Sequence, residues 1–144
     1  ALVVPSSFGN PRRVSNGVEY NRAMLLLAVL EKRGGLLLGN CDAYLNVIGG
    51  LSLDEPAADL AAMLALASSF RDKPVPSDLA AIGEVGLTGE LRAVSALGQR
   101  LAEVRRLGFT KCLIPKRIQG KLAAPEGLEL IRVANIREAL AALL

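Results

Sequence analysis

The chain has 144 residues, a net charge of +3, 51% hydrophobic but only 3% aromatic residues, and no histidine. That length suits one domain with a real core, and Leu, Val, Ile and Ala must fill it, which favours helices packed on a sheet over a small aromatic-rich barrel. The absence of histidine, with Cys41 and Cys112 far apart and no CxxC pair, excludes a conventional zinc site and every Ser-His-Asp or Cys-His device, leaving two reduced cysteines as the expectation.

Residues 1–5 read as a strand, with no basic-then-apolar leader ahead of them. No apolar run reaches the ~18 residues of a membrane span. The expectation is a cytoplasmic chain cut from something longer. Residues 6–11 form a turn-rich loop in which Pro11 discourages helix, and Arg12 and Arg13 follow in an exposed segment. Ser15 or Asn16 is the expected cap of a helix over 18–33, with Met24, Leu25, Leu27, Ala28 and Val29 on its apolar face. Lys32 and Arg33 suit its last turn, and Gly34 and Gly35 end it. Two apolar runs, 36–38 and 43–48, flank a Gly/Asn/Asp turn and predict a β-hairpin.

Asp54 as cap and Pro56 as a first-turn residue predict a helix to about residue 70. Its many alanines permit close packing and make it the expected most buried helix. Pro74 and Pro76 mark a loop, and 79–82 a short strand. The glycine-rich stretch 84–90 predicts a bent strand and turn, followed by a strand over 90–94. It has neither a GK[ST] ending nor a GxGxxG pattern, which argues against a phosphate loop. An amphipathic helix over 96–107 closes at Gly108. A strand over 111–114 stops at Pro115, and Lys116, Arg117 and Lys121 decorate the next loop. A strand over 128–133 precedes a last helix to residue 144, capped by Asn135. Alternating strands and helices with one hairpin predict a single α/β (α+β) domain over 1–144, a mixed sheet packed with helices.

The charge is unevenly spread. Residues 1–33 hold five basic and two acidic side chains; 34–69 hold four acidic and no basic ones; 70–144 hold twelve basic and eight acidic. If the two ends meet in space they form a basic face for an anionic partner; the alternative is an ordinary solvated surface.

Six segments in order, SFGNPRR (7–13), NRAMLLLAVLEKR (21–33), DAYLNVIGG (42–50), LDEPAADLA (53–61), SSFRDKP (68–74) and GEVGLTGE (83–90), together resemble the C-terminal Lon-protease-like domain of the RadA (Sms) family of bacterial DNA-repair ATPases. The resemblance implies a Lon-protease-type fold at the end of a protein whose other parts are a zinc-binding segment and a RecA-like ATPase. ATP and zinc are then expected in those parts, and no cofactor or metal in this domain. Lon peptidases use a Ser-Lys dyad, in which a desolvated lysine activates the serine. The stretch similar to their K-D-G-P-S-A-G motif is 53–59, which puts Ala57 at the serine position. Counting on from the G-E-x-x-L-x-G stretch puts Gly98 at the lysine position. Both groups are absent, so no catalytic residue is expected. Ser68, Ser69 and Ser95 are the conceivable replacement nucleophiles.

The resemblance implies two remaining roles: assembly into a homo-oligomer, a six-membered ring, and contact with DNA, single- or double-stranded. Arg13, Arg22 and Arg92 are the expected DNA-facing residues, with Arg12 and Lys73 in reserve. The competing possibility is ion pairing within the chain, for example with Glu19, Glu84 or Glu90. The aromatic residues Phe8, Tyr20, Tyr44, Phe70 and Phe109 form no cluster in sequence, with Phe70 and Phe109 expected in the core. Any DNA contact should therefore be phosphate-driven, sequence-independent and weakened by salt. The family also implies strand exchange and branch migration by the whole protein, with a RecA-type recombinase as partner and no membrane. A pure hexamerisation scaffold and a residual peptidase are the alternative readings.

Overall fold

A computed structural model describes residues 1–7 and 9–143; Phe8 and the last residue of the predicted C-terminal helix lie outside them. Within these residues the order is β1 (Leu2–Pro5), β2 (Arg13–Asn16), α1 (Tyr20–Lys32), β3 (Cys41–Asn46), α2 (Asp59–Arg71), β4 (Leu79–Ala81), β5 (Glu84–Val85), β6 (Leu91–Arg92), α3 (Leu97–Arg106), β7 (Lys111–Pro115), β8 (Glu129–Val133) and α4 (Ile136–Leu143). Mixed pairing is confined to one three-stranded sheet, β1-β3-β2. A second, β4-β7-β8, is parallel throughout, and β5 and β6 form a short antiparallel hairpin.

β3 pairs antiparallel with β1 (Val3 opposite Ala43) and parallel with β2 (Val14 opposite Tyr44). The expected hairpin between 36–38 and 43–48 does not form. The chain over 36–38 stays on the end of α1 instead. Leu36 N–H donates to Leu30 O at 3.3 Å and Leu38 N–H to Glu31 Oε1 at 3.2 Å. Leu36 and Leu38 are buried while Leu37 is 81% exposed. The alternation is therefore real, but helix-end partners take the backbone groups that a strand would use.

The segment holding Arg13 is an edge strand, not an exposed loop, and it includes both residues expected to cap α1. Ser15 Oγ donates to Val18 O at 2.7 Å. The actual cap is Glu19, whose carboxylate accepts from Asn21 N–H (3.0 Å) and Arg22 N–H (2.9 Å). A similar shift precedes α2. Glu55 rather than Asp54 caps a 3-10 turn, Pro56–Ala58, accepting from Ala57 N–H at 3.2 Å, and α2 follows directly. A longer glutamate reaches the same orphan donors as an aspartate one residue on. Asn135 does cap α4, through Glu138 N–H to its Oδ1 at 2.9 Å. β7 ends at Pro115 as expected, with the proline itself its last residue, paired in register with Val133.

β7 is the hinge between two cores. Leu113 faces a large cluster built from α1, α2 and α4, while Cys112 and Ile114 face a smaller one with Leu97, Leu101 and Leu128. A central parallel strand covered on both faces accounts for its unbroken apolar run. Phe70 packs, half-buried, on the larger core. Among the described residues no helix is long and apolar enough to cross a membrane.

Candidate functional site

Ala57 sits in the 3-10 turn that leads into α2, and its methyl is buried in the smaller core. Two hydrogen bonds lock this turn to the residue before β5: Gly83 N–H donates to Ala57 O at 2.9 Å and Leu60 N–H to Gly83 O at 3.1 Å. An apolar groove beside it is lined by Ala57, Ala58, Ile82 and Val104, with Gln99 and Arg100 from the first turns of α3. The residue before Gln99 is Gly98, which is exposed, with open space where a Cβ would stand. The fold thus carries the 3-10 turn before α2 and the first turns of α3 to one groove. Neither position there supplies a group that transfers a proton or attacks a carbonyl.

Arg100 Nη2 meets Glu55 Oε1 at 3.1 Å, so an ion pair links the two elements that form this groove. The possible replacement nucleophiles do not reach it as activated groups. Ser69 Oγ accepts from Val3 N–H at 2.9 Å, and the Ser68 hydroxyl donates to Lys73 O. Both lie about three turns along α2. Ser95 is exposed, just before α3. Cys112, the one thiol in this core, is fully buried, and burial pushes its pKa up to about 12. It stays protonated and inert.

Arg22 projects from the first turns of α1 onto Asp59. Its Nε donates to Oδ1 at 3.0 Å, its Nη2 binds Oδ2, and the same Oδ2 accepts from Val85 N–H at 3.1 Å. Asp59 is 3% exposed and is the one buried charged or polar residue in the described core; the Arg22 side chain remains 34% exposed. The two line a pocket with Val18, Leu26, Leu53 and Ala62. This fork ties α1, α2 and the β5-β6 hairpin together, and its acid is none of the three carboxylates expected from sequence. The carboxylate also lies in the first turn of α2, where the helix dipole favours it.

The other candidate cations lie apart. Arg12 is exposed, its N–H donating to Asp42 Oδ1 at 2.6 Å. Arg13 is half-buried and its Nη2 donates to Leu38 O at 2.8 Å. That carbonyl is beside Glu31, about 14 Å along the axis of α1 from Arg22. Arg92 is exposed on β6, opposite Glu84. Lys73 follows the C-terminus of α2, about 20 Å along that helix from Asp59. One contact joins the two basic segments: Arg137 Nη2 donates to Arg33 O at 3.4 Å, beside the turn of the β5-β6 hairpin, while the candidate cations themselves stay dispersed.

Two features escape a reading of the sequence. Asp59 sits at the head of an apolar helix with Leu60, Met63 and Leu64 around it, and a lone acid in such a stripe is the signal of a buried pair. The Arg92 side chain shares a surface recess with Lys116 and Arg117, which are 24 and 25 residues away; no local pattern marks that meeting.

Residues 41–144 match the family of the Lon protease (S16) C-terminal proteolytic domain. The chain is similar to the DNA repair protein RadA of Bacillus subtilis (strain 168), 56% identical over 97% of this chain and 31% of that protein. It is similar to the RadA proteins of Halalkalibacterium halodurans, 51% identical over 97% of this chain and 31% of that one, and of Streptococcus pneumoniae, 50% identical over 97% and 33%. The chain therefore spans about a third of the length of the curated relatives it matches.

Proposed function

The chain belongs to the family of the Lon protease C-terminal proteolytic domain, and from that premise we propose that it is the non-proteolytic, DNA-contacting and ring-forming domain of a RadA-type DNA-repair ATPase. The observation that carries this reading is the pairing of two facts. Relatives named as DNA repair proteins share half or more of its residues over 97% of its length, while Ala57, the residue that the sequence resemblance puts at the serine position, presents only a buried methyl.

In this reading the fold supplies surface and the chemistry lies elsewhere. ATP hydrolysis and zinc binding belong to parts of the protein outside this chain. Strand exchange and branch migration are activities of the whole cytoplasmic protein, with a RecA-type recombinase as a partner. DNA contact runs through phosphates: Arg12 and Arg92 are exposed, and Arg13 is half-exposed at a sheet edge. Arg22 already has a buried partner, so its contribution is to hold α1 and the hairpin in place as well as to add positive potential.

The test is fluorescence anisotropy of a labelled duplex and a labelled single strand over a salt series. The parent chain is compared with Arg12→Glu/Arg13→Glu/Arg92→Glu, which leaves the Arg22–Asp59 pair intact. Expected is salt-sensitive binding by the parent, lost in the variant at unchanged circular dichroism. Equal binding by both, or none by the parent at low salt, sinks the DNA path.

A second reading, a hexamerisation scaffold without DNA contact, is favoured by the exposed apolar run before α2: Ile48 is 87%, Leu51 66% and Leu53 42% exposed. Exposed patches of this kind mark association surfaces. A defined multimer by sedimentation velocity, with no DNA affinity, would put this reading first. Release of labelled peptides from an unfolded protein substrate would support the residual-peptidase reading; none is expected.

A further inference from the structure

The geometry points to a phosphate-binding recess formed by Arg92, Lys116 and Arg117, which takes a backbone phosphodiester of nucleic acid; it rests on the DNA-contact reading above and gives that contact a location. Arg92 comes from β6, and Lys116 and Arg117 from the loop that leaves β7. All three are exposed, and they line one concave surface with Leu91, Ala93 and Ala134. None of the three makes an ion pair among the described residues.

The floor of the recess is rigid, and its backbone groups are largely satisfied. Leu91 N–H donates to Ala134 O and Lys116 N–H to Val133 O, both at 2.9 Å, and Glu90 bridges to Asn135. The side chain of Leu91 is buried. The one acid lining the recess, Glu90, turns its Oε1 back to the hairpin turn, where it accepts from Thr88 N–H at 3.3 Å. Three cations thus share a partly apolar concavity with a single lining carboxylate, Glu90, which also acts electrostatically on Arg92, and Glu84 lies opposite Arg92 across the hairpin, so positive charge remains in excess. Mutual repulsion of the cations is relieved by an anion between them, and the apolar walls strengthen that attraction. Two guanidinium forks and one ammonium match the oxygens of a phosphate.

This recess differs from the Arg12/Arg13 edge in the elements that build it. A bound strand that crosses both would be held at two places on the surface, by phosphates and not by bases.

The experiment is duplex binding by anisotropy across a chloride series, using the full chain. Three proteins are compared with the parent: Lys116→Gln/Arg117→Gln; Arg12→Gln/Arg13→Gln; and Lys32→Gln/Arg71→Gln, which removes the same charge from exposed helix ends. Melting by circular dichroism checks that each is folded. The recess pair is expected to weaken low-salt binding at least about tenfold, the scale of one missing charged hydrogen bond. It should also flatten the plot of log affinity against log salt by about 1 for each phosphate no longer neutralised. The Lys32/Arg71 pair should change the slope far less. Equal weakening by the recess and control pairs would make the effect one of net charge and overturn the site. Parent-like binding by the recess pair, with weakening in the Arg12/Arg13 pair, would overturn the recess and leave DNA contact standing. No salt-dependent binding by the parent would overturn both.

Discussion

Arg22 and Asp59 have unequal stakes in their pair. Removing the arginine leaves a carboxylate that is 3% exposed without its countercharge. Removing the aspartate leaves a guanidinium already open to water, plus one unsatisfied Val85 N–H. Arg22→Ala should therefore cost about 3 kcal/mol, the lower end for breaking a buried pair because this one is partly solvated. Asp59→Ala should cost about 1–3 kcal/mol, the desolvation of an orphaned donor. Urea denaturation reads both; a larger loss for Asp59→Ala would contradict the asymmetry. For the same reason, charge reversal at Arg22 would confound folding with DNA contact.

Cys112 couples burial to pH. Its thiol ionises near 9.0 when unfolded and at about 12 in the fold, because burial penalises the thiolate. Below the first value both states keep the proton and stability is unaffected. Above it the unfolded state alone gains the thiolate, so stability falls as pH rises from 9.0 towards 12. Urea midpoints should drop between about pH 8 and about pH 10 by less in Cys112→Ala than in the parent. A thiol reagent should label the half-exposed Cys41 in the folded chain and reach Cys112 only on unfolding.

Two glycines separate backbone need from bare space at the level of elements. Gly89 turns the β5-β6 hairpin at φ 83°, and a Cβ there would meet Arg33 Cβ at 2.9 Å and Ile136 Cγ2 at 3.2 Å. Gly89→Ala should destabilise by about 1–3 kcal/mol through strain and crowding. Gly98 sits inside α3, with nothing near its missing Cβ and no positive φ. Gly98→Ala should stabilise by about 0.5 kcal/mol through helix propensity. Thermal melts in opposite directions are the expected result; a stabilising Gly89→Ala would mean the hairpin turn is not held against α1 and α4. Element types are largely legible in the sequence: the four helices, the Pro74/Pro76 loop and the hairpin of 84–92 all carry local signals. β2 is not, because an edge strand with an exposed Val14 shows no apolar run, and its pairing with β3 lies thirty residues away.

For the whole molecule, Arg137 meets the end of α1 at Arg33 beside the hairpin, and the basic side chains are spread over several elements. An acidic middle segment supplies Asp59 to the interior and Glu55 to the edge of the groove. Duplex affinity should then fall linearly in a log–log salt plot, with a slope near −0.9 per neutralised phosphate. An affinity indifferent to salt would argue against a phosphate-driven surface of any location.

Sequence alone determined what this chain lacks and what kind of chain it is. Residue identity suffices to say that Ala57 and Gly98 offer no nucleophile or base, and that a chain without histidine has no imidazole chemistry. Ordered segments likewise suffice to recognise a family. Tertiary structure alone decided which cation meets which partner. Arg22 reaches Asp59 across 37 positions, and Arg92 shares a recess with two residues beyond β7. Parallel and edge pairings, buried ion pairs and shared recesses are contacts between residues remote in the chain. Their energy comes from desolvation and geometry fixed by the packed core, so a local pattern can mark one member, as at Asp59, but names no partner.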